Sequence, residues 1–349
     1  MINKEYGSDF PLLVDDSFLL NNQKENIFCT NAFSLFFSGR SALYHLLKSG
    51  IELYNWQKVY VPSFYCHEVV YFLKDLDIEV VYYEYNPFLD LSSKTFEWDD
   101  KPSTVVVNVL FFGVKKLDVT FLEQSIVLED LTHNIMGFES SNADYCFGSL
   151  RKELPLPCGG FLMSPKGKSL PIGVESYKSE IIGIQKLTAM MLKKEYLEGR
   201  ITSKDIFRNL FTDSESEFEN RTTNAAIPLV SLSILKYLNI PAILSAKYEN
   251  VKLALSLLKK KSGIRYNMDY DDSNSFGLVV ECETVDLKLK MKQFLIENKV
   301  FPAVLWPNQL LARDEEVSSR ILFVHLDFRY DKTDIEEIIK MVNIFNINE

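Results

Sequence analysis

The sequence predicts an α/β chain: a large three-layer domain built on a mostly parallel sheet over residues 1–240, then a smaller α+β domain over 241–349. Three observations carry this reading. Strand-like apolar runs alternate with helical or loop crossovers from about residue 35 to 165, the rhythm of a largely parallel sheet. These runs are almost continuously hydrophobic, as from Thr104 to Phe112, which suits strands covered on both faces. After Pro241 the pattern becomes helix, strand, helix, strand, helix.

Each element has its own signal. Phe33 to Phe37 reads as a strand leading into Ser38-Gly39-Arg40-Ser41, and Ala42, Leu43, Leu46 and Leu47 form a helical stripe behind it. A glycine loop feeding a helix leaves backbone N–H groups at the positive end of the dipole, a phosphate cradle. Serine is equally a preferred helix cap. Val59–Ser63 predicts a strand and Cys66–Leu76 a helix; Glu79–Tyr85 and Thr104–Phe112 predict two more strands. Three further apolar runs follow: Ile126 to Leu128, Tyr145 to Leu150, and the run after Gly159-Gly160. Glu129, Asp130, His133, Ser149, Arg151 and Lys152 stand where these runs end. Ligands bind at the carboxyl ends of strands in open α/β sheets.

The helical middle and the C-terminal part follow. Ser179–Glu195 predicts a long helix with lysines on its outer face. Thr202–Glu219 is polar and reads as a mobile, solvated stretch. Leu244, Tyr248, Val251, Leu255 and Leu258 mark one helical face that Gly263 ends. Ser275–Cys282 and Arg320–Asp327 read as strands. Val285–Lys292 reads as a helix that Phe294 and Leu295 continue. Thr333-Asp334-Ile335-Glu336 has the form of a capping box, ahead of Ile335, Ile338, Val342 and Phe345.

Composition narrows the function. The formal charge is −10, with 38 basic against 48 acidic residues, which disfavours nucleic-acid binding through a basic face. The five cysteines are odd in number and show no C-x-x-C spacing, against a zinc site or a disulfide framework. No signal peptide is visible at the start. The most apolar stretch, Ala225–Leu244, is broken by Pro228, Lys236, Asn239 and Pro241, so no membrane span is expected. A reduced cytoplasmic protein is the simplest reading. No G-x-G-x-x-G follows a strand, which weakens a dinucleotide fold.

A lysine at a strand end, a serine three residues before it and an aspartate on a neighbouring strand suit pyridoxal 5'-phosphate (PLP). The amine forms a Schiff base with the cofactor aldehyde, and the carboxylate keeps the pyridine nitrogen protonated. The residues that carry this pattern also carry a resemblance. Ser38-Gly39-Arg40-Ser41-Ala42-Leu43, Val61-Pro62-Ser63-Phe64-Tyr65-Cys66, Glu129-Asp130-Leu131-Thr132-His133, Ser149-Leu150-Arg151-Lys152, Leu305-Trp306-Pro307 and Leu326-Asp327-Phe328-Arg329-Tyr330 occur in one order across most of the chain. In these pieces the sequence resembles the DegT/StrS-type sugar aminotransferases, PLP enzymes of fold type I.

The resemblance implies roles. Lys152 would be the Schiff-base lysine and Asp130 the partner of the pyridine nitrogen. His133 would lie near the ring's phenolic oxygen. Ser149 with Gly39, Arg40 and Ser41 would hold the phosphate. An aromatic facing the cofactor is expected among Phe64, Tyr65 and His67. Trp306, Asn308 and Arg329 are candidates for substrate contact, and Arg221 and Asn224 for the partner subunit's phosphate site. Cys158 departs from the pattern, since relatives often carry an acid before Gly-Gly.

The implied reaction moves an amino group from an amino acid, with glutamate the expected donor, to a nucleotide-linked keto sugar, as polysaccharide biosynthesis requires. A homodimer with a shared active site is implied too. Three alternatives stand beside it. One is a PLP-dependent sugar dehydratase, whose kind typically replaces the lysine by histidine. The others are a noncatalytic protein that keeps the fold, and an α/β transferase that uses no cofactor.

Overall fold

A computed structural model describes residues 4–13, 15–19, 26–89, 96–219, 225–266 and 275–346. The chain begins with β1 (Tyr6–Gly7), β2 (Phe33–Phe36), α1 (Gly39–Tyr54), β3 (Lys58–Pro62), α2 (His67–Tyr71), β4 (Glu79–Tyr83), β5 (Thr104–Val109), β6 (Ile126–Asp130), β7 (Tyr145–Ser149) and β8 (Gly160–Met163). Four helices follow: α3 (Tyr177–Leu197), α4 (Asp205–Glu219), α5 (Leu229–Leu235) and α6 (Ile240–Leu257). The remainder is β9 (Ile264–Tyr266), β10 (Leu278–Cys282), α7 (Val285–Glu297), β11 (Val300–Phe301), α8 (Ala312–Ser318), β12 (Ile321–Val324) and α9 (Lys332–Ile344).

The main sheet has the order β2-β8-β7-β6-β5-β3-β4. From β7 to β4 all neighbours are parallel, and β8 runs antiparallel to both β7 and β2. All six residues of the central strand β5 are buried, which explains the unbroken apolar run. The smaller sheet, β12-β10-β9, is antiparallel and is packed by the buried faces of α7 and α9. Tyr6 on β1 joins this second core, and β1 pairs in parallel with β11. The architecture is therefore a large, mostly parallel α/β domain with a smaller C-terminal α+β domain.

Topology places the strand ends that matter on one edge. Strands β2, β3, β5, β6 and β7 all point the same way, so their carboxyl ends meet. On β8, Gly160 pairs with both Phe36 and Ser149. A Cβ there would sit 2.2 Å from the Ser38 carbonyl carbon, so only glycine lets the start of α1 lie against the end of β7.

Several expectations need correction. The 202–219 stretch is not a loose polar surface: α4 buries Phe207 and Phe211 against α3. The lysines of α3 are not all on its outer face, because Lys186 and Lys193 are buried. The α6 face that packs inward is Ile240, Ile243, Lys247, Val251 and Ala254 rather than the stripe drawn from Leu244. The capping box of α9 begins two residues earlier than expected. Asp331 accepts from the Asp334 N–H, and Asp334 reaches back to the Asp331 N–H, since aspartate competes well with threonine for the cap. Helix α2 is one short turn and a half, not an element reaching Leu76.

Candidate active site

The strand ends line a cavity of about 560 Å³. Its wall includes Ser38, Gly39 and Arg40 at the start of α1, Tyr65 after β3, Asp130, Thr132 and His133 after β6, and Ser149 and Lys152 after β7. Trp306, Phe276 and His325 come from the smaller domain. Among the described residues no His, Cys, Asp and Glu cluster could hold a metal ion.

Strand alternation separates the two acids of β6. Glu129 turns to an ion pair with Lys116, while Asp130 turns to the cavity. The Tyr65 hydroxyl donates to Oδ2 of Asp130 (2.5 Å), and the Thr132 N–H donates to Oδ1 (2.9 Å). Burial pushes the Asp130 carboxyl up, against the opposing pull of Thr132 and Tyr65. A carboxylate offers about four acceptor positions, so room remains for a further donor such as a ring N–H.

Lys152 ends a tight 3-10 turn, Leu150–Lys152, that directly follows β7. Its side chain opens onto the cavity but is otherwise enclosed by protein. Burial, then the neighbouring Arg151 guanidinium, pushes the Lys152 amine down, toward the neutral form that attacks carbonyls. The next residue fixes the turn. Glu153 accepts from the Ile135 N–H (2.8 Å) and forms a buried ion pair with Lys247 of α6.

The loop at Ser38 is both cap and cradle. Ser38 Oγ accepts from the Ser41 N–H (3.1 Å), so that donor is spent and buried Ser41 does not line the cavity. Gly39 and Arg40 do line it, at the positive end of α1. Arg40 forms no ion pair or side-chain hydrogen bond with a described residue, which leaves its guanidinium available to an anion. Ser149 stands across from this helix start, with its N–H bonded to Thr132 Oγ1 (3.1 Å).

His133 packs nearly parallel to Phe276 (4.4 Å, 12°) and Trp306 (5.4 Å, 4°). Its Nδ1 accepts from the Phe112 N–H (3.2 Å). Burial and then Lys152 push it down to about 3, so the ring is neutral with its proton on Nε2. Of the three aromatic candidates only Tyr65 reaches the cavity. Phe64 is core, and His67 is buried edge-on against Tyr82, away from the cavity wall. The expectation that His67 faces the cofactor does not fit this geometry.

Arg329 also differs from expectation. It is bidentate to Asp327 (2.7 and 2.7 Å), and its Nη1 donates to the carbonyls of Ser8 and Asp9 (both 3.1 Å). Its donors are committed to holding the N-terminal segment, although it lines the cavity. Trp306 lines the cavity and Asn308 does not. Arg221 and Asn224 lie outside the described residues.

Sequence reasoning missed four groups. Gln309 brackets Tyr65, accepting from its N–H (3.1 Å) and donating to its carbonyl (2.9 Å). His325 follows β12 onto the wall, and burial pushes it down to about 4. Lys186 of α3 and Glu215 of α4 reach the wall as well. A lysine on the apolar stripe Ile182, Ala189 and Met190 was the readable sign for Lys186. Spacing from Phe207 and Phe211 was the sign for Glu215.

The mostly parallel sheet with its antiparallel strand β8 and the smaller C-terminal domain make up a fold that solved aminotransferase structures share. Solved structures with this fold include Helicobacter pylori PseC, an aminotransferase involved in the biosynthesis of pseudoaminic acid (13% identity, 97% of this chain and 98% of that one, TM-score 0.59). They include the sugar aminotransferase CalS13 from Micromonospora echinospora (11%, 89% and 87%, 0.56). Spr1654 from Streptococcus pneumoniae, solved in a PLP form, is similar too (13%, 97% and 98%, 0.56). No protein-family model matches the chain, and no curated protein does. At such low identity the likeness is one of fold.

Proposed function

We propose that the chain is a PLP-dependent aminotransferase that carries an amino group from an amino acid, glutamate being the expected donor, to a nucleotide-linked keto sugar. The observation that carries this is the convergence of Lys152, Asp130 and the start of α1 on one cavity, from three separate elements. The shared fold with solved sugar aminotransferases supports the acceptor class.

The residues present fit the cofactor. An anion cradle, a buried carboxylate with an acceptor position to spare and an amine biased toward neutrality suit a phosphate, a ring nitrogen and an aldehyde. Gly39, Arg40 and Ser149 would hold the phosphate, with Ser41 contributing through the cap. Asp130 would keep a proton on the ring nitrogen. Tyr65 would stand by the ring, and His133 Nε2–H would serve the phenolic oxygen. Pyridoxal phosphate supplies an aldehyde and an electron sink when bound.

Lys152 would carry the cofactor at rest. Once displaced by the donor amine, Lys152 Nζ would take the proton from the donor's α-carbon and deliver it to the cofactor. The same amine would reverse these steps with the acceptor, giving ping-pong kinetics. We further propose a homodimer and a domain boundary near residue 240. No described helix is long and apolar enough to cross a membrane.

The test has two halves. The PLP-loaded protein should convert glutamate to its 2-oxo acid, and the resulting amine form should then aminate a member of a nucleotide keto-sugar panel. Turnover only with simple 2-oxo acids would remove the sugar acceptor. Turnover with nothing would remove the enzyme.

A further inference from the structure

Two lysines, not one, line this cavity. Lys186 extends from α3 and Lys152 from the turn after β7. Lys186 is buried and Lys152 is exposed to the cavity, and a neutral amine at either position could condense with an aldehyde. Only one is held in an ion pair. Glu215, on the face of α4 that carries Phe211, places one carboxylate oxygen against the Lys186 amine and against Nη1 of Arg151 (2.7 Å). The Lys152 amine forms no ion pair with a described residue.

We propose that Glu215 is a positioning residue that keeps Lys186 an ammonium ion and so reserves carbonyl chemistry for Lys152; this rests on the cofactor reading above. The surroundings of Lys186 explain why it needs a dedicated partner. Burial and then Arg151 drive its proton off, while Glu215 and the nearby Asp9 hold it on, leaving the amine at about 8. Arg151 and Lys186 in turn keep Glu215 ionised, well below the usual carboxylate range, against the partial desolvation of its half-exposed side chain.

Cys158 is buried within electrostatic reach of the same cluster, although it does not line the cavity. Burial pushes its thiol up to about 12, so it brings no charge, although Arg151, Lys186 and Glu215 all act on it. This is the position where the resemblance implies an acid. Glu215 thus brings from another helix the carboxylate that Cys158 does not supply.

The covalent step balances without an oxidant. The lysine nitrogen adds to the aldehyde carbon, gives up two protons, and the aldehyde oxygen leaves as water; borohydride then adds hydride to the carbon–nitrogen double bond. The experiment treats the full-length, cofactor-free protein with pyridoxal phosphate at pH 7, reduces it, and maps adducts by peptide mass spectrometry. Wild type should carry adduct on Lys152 with little on Lys186. Glu215→Gln should label Lys186 about tenfold more, since an amine near 8 is only about one-tenth neutral at pH 7. Lys152→Ala/Glu215→Gln should be labelled on Lys186 alone.

A measurement on wild type avoids any folding defect. Label on Lys186 should rise as pH is raised through about 8, where its proton leaves. Unchanged Lys186 labelling in folded Glu215→Gln, or a flat pH profile in wild type, would overturn the proposal. Absence of adduct on Lys152 in wild type would instead refute the cofactor reading.

Discussion

The buried pair between Glu153 and Lys247 ties the lysine-bearing turn to α6, and breaking it is the sharpest stability test the fold offers. The side chains are 1% and 6% exposed, so neither charge can be rescued by water. Lys247→Met would leave the carboxylate with only the Ile135 N–H as partner. Glu153→Gln would keep that bond through its amide oxygen but strand a buried ammonium. Each single change should cost about 3–5 kcal/mol. The double variant restores neutrality with a Gln–Ile135 bond and an apolar neighbour, and should lie within about 1 kcal/mol of wild type. Urea melts of the four proteins at neutral pH give the coupling directly, expected at several kcal/mol. In heat, each single variant should melt several degrees lower, at about 2 °C per kcal/mol for a chain of this size. Additive losses in the double variant would refute the reasoning, because they would mean that the two charges do not depend on each other.

Other outcomes follow from the same geometry. Because burial raises the Asp130 pKa in the folded state, its charge costs the cofactor-free protein stability that is fully present below about pH 4 and lost as pH rises through the folded value. Melting curves should therefore show Asp130→Asn gaining on wild type as pH increases from about 4, while PLP affinity falls. Tyr65→Phe removes the donor to Asp130 Oδ2 and should cost about 1.5–3 kcal/mol in neutral urea melts of the cofactor-free protein. Gly160→Ala should lower both thermal stability and PLP affinity, since its Cβ meets the Ser38 carbonyl and pushes the start of α1 away from β7.

Much of the fold could be read from local pattern. The strands of the main sheet are short, apolar and covered on both sides, so composition alone marks β5, β6 and β7. Where patterns were equivocal, tertiary packing decided. The α6 stripe from Leu244 has good spacing, yet the inward face carries Lys247 because Glu153 waits there. Local pattern makes Lys186 and Glu215 solvated charges, since nothing local reveals that α3 buries Lys186 or that α4 brings Glu215 against it and Arg151. The same limit applies to Arg329, whose partners Ser8 and Asp9 lie more than 300 residues away in sequence. Strand-end chemistry was easier to read, because parallel topology collects Asp130, Ser149 and Lys152 without long-range detail.

Peptide mapping after borohydride reduction of the wild-type protein with pyridoxal phosphate addresses the central assignment most directly. A reduced adduct on the peptide bearing Lys152, lost in Lys152→Ala along with the yellow colour, is the predicted result. Stable colour with an adduct elsewhere, or a colourless protein that takes up no cofactor, would contradict it.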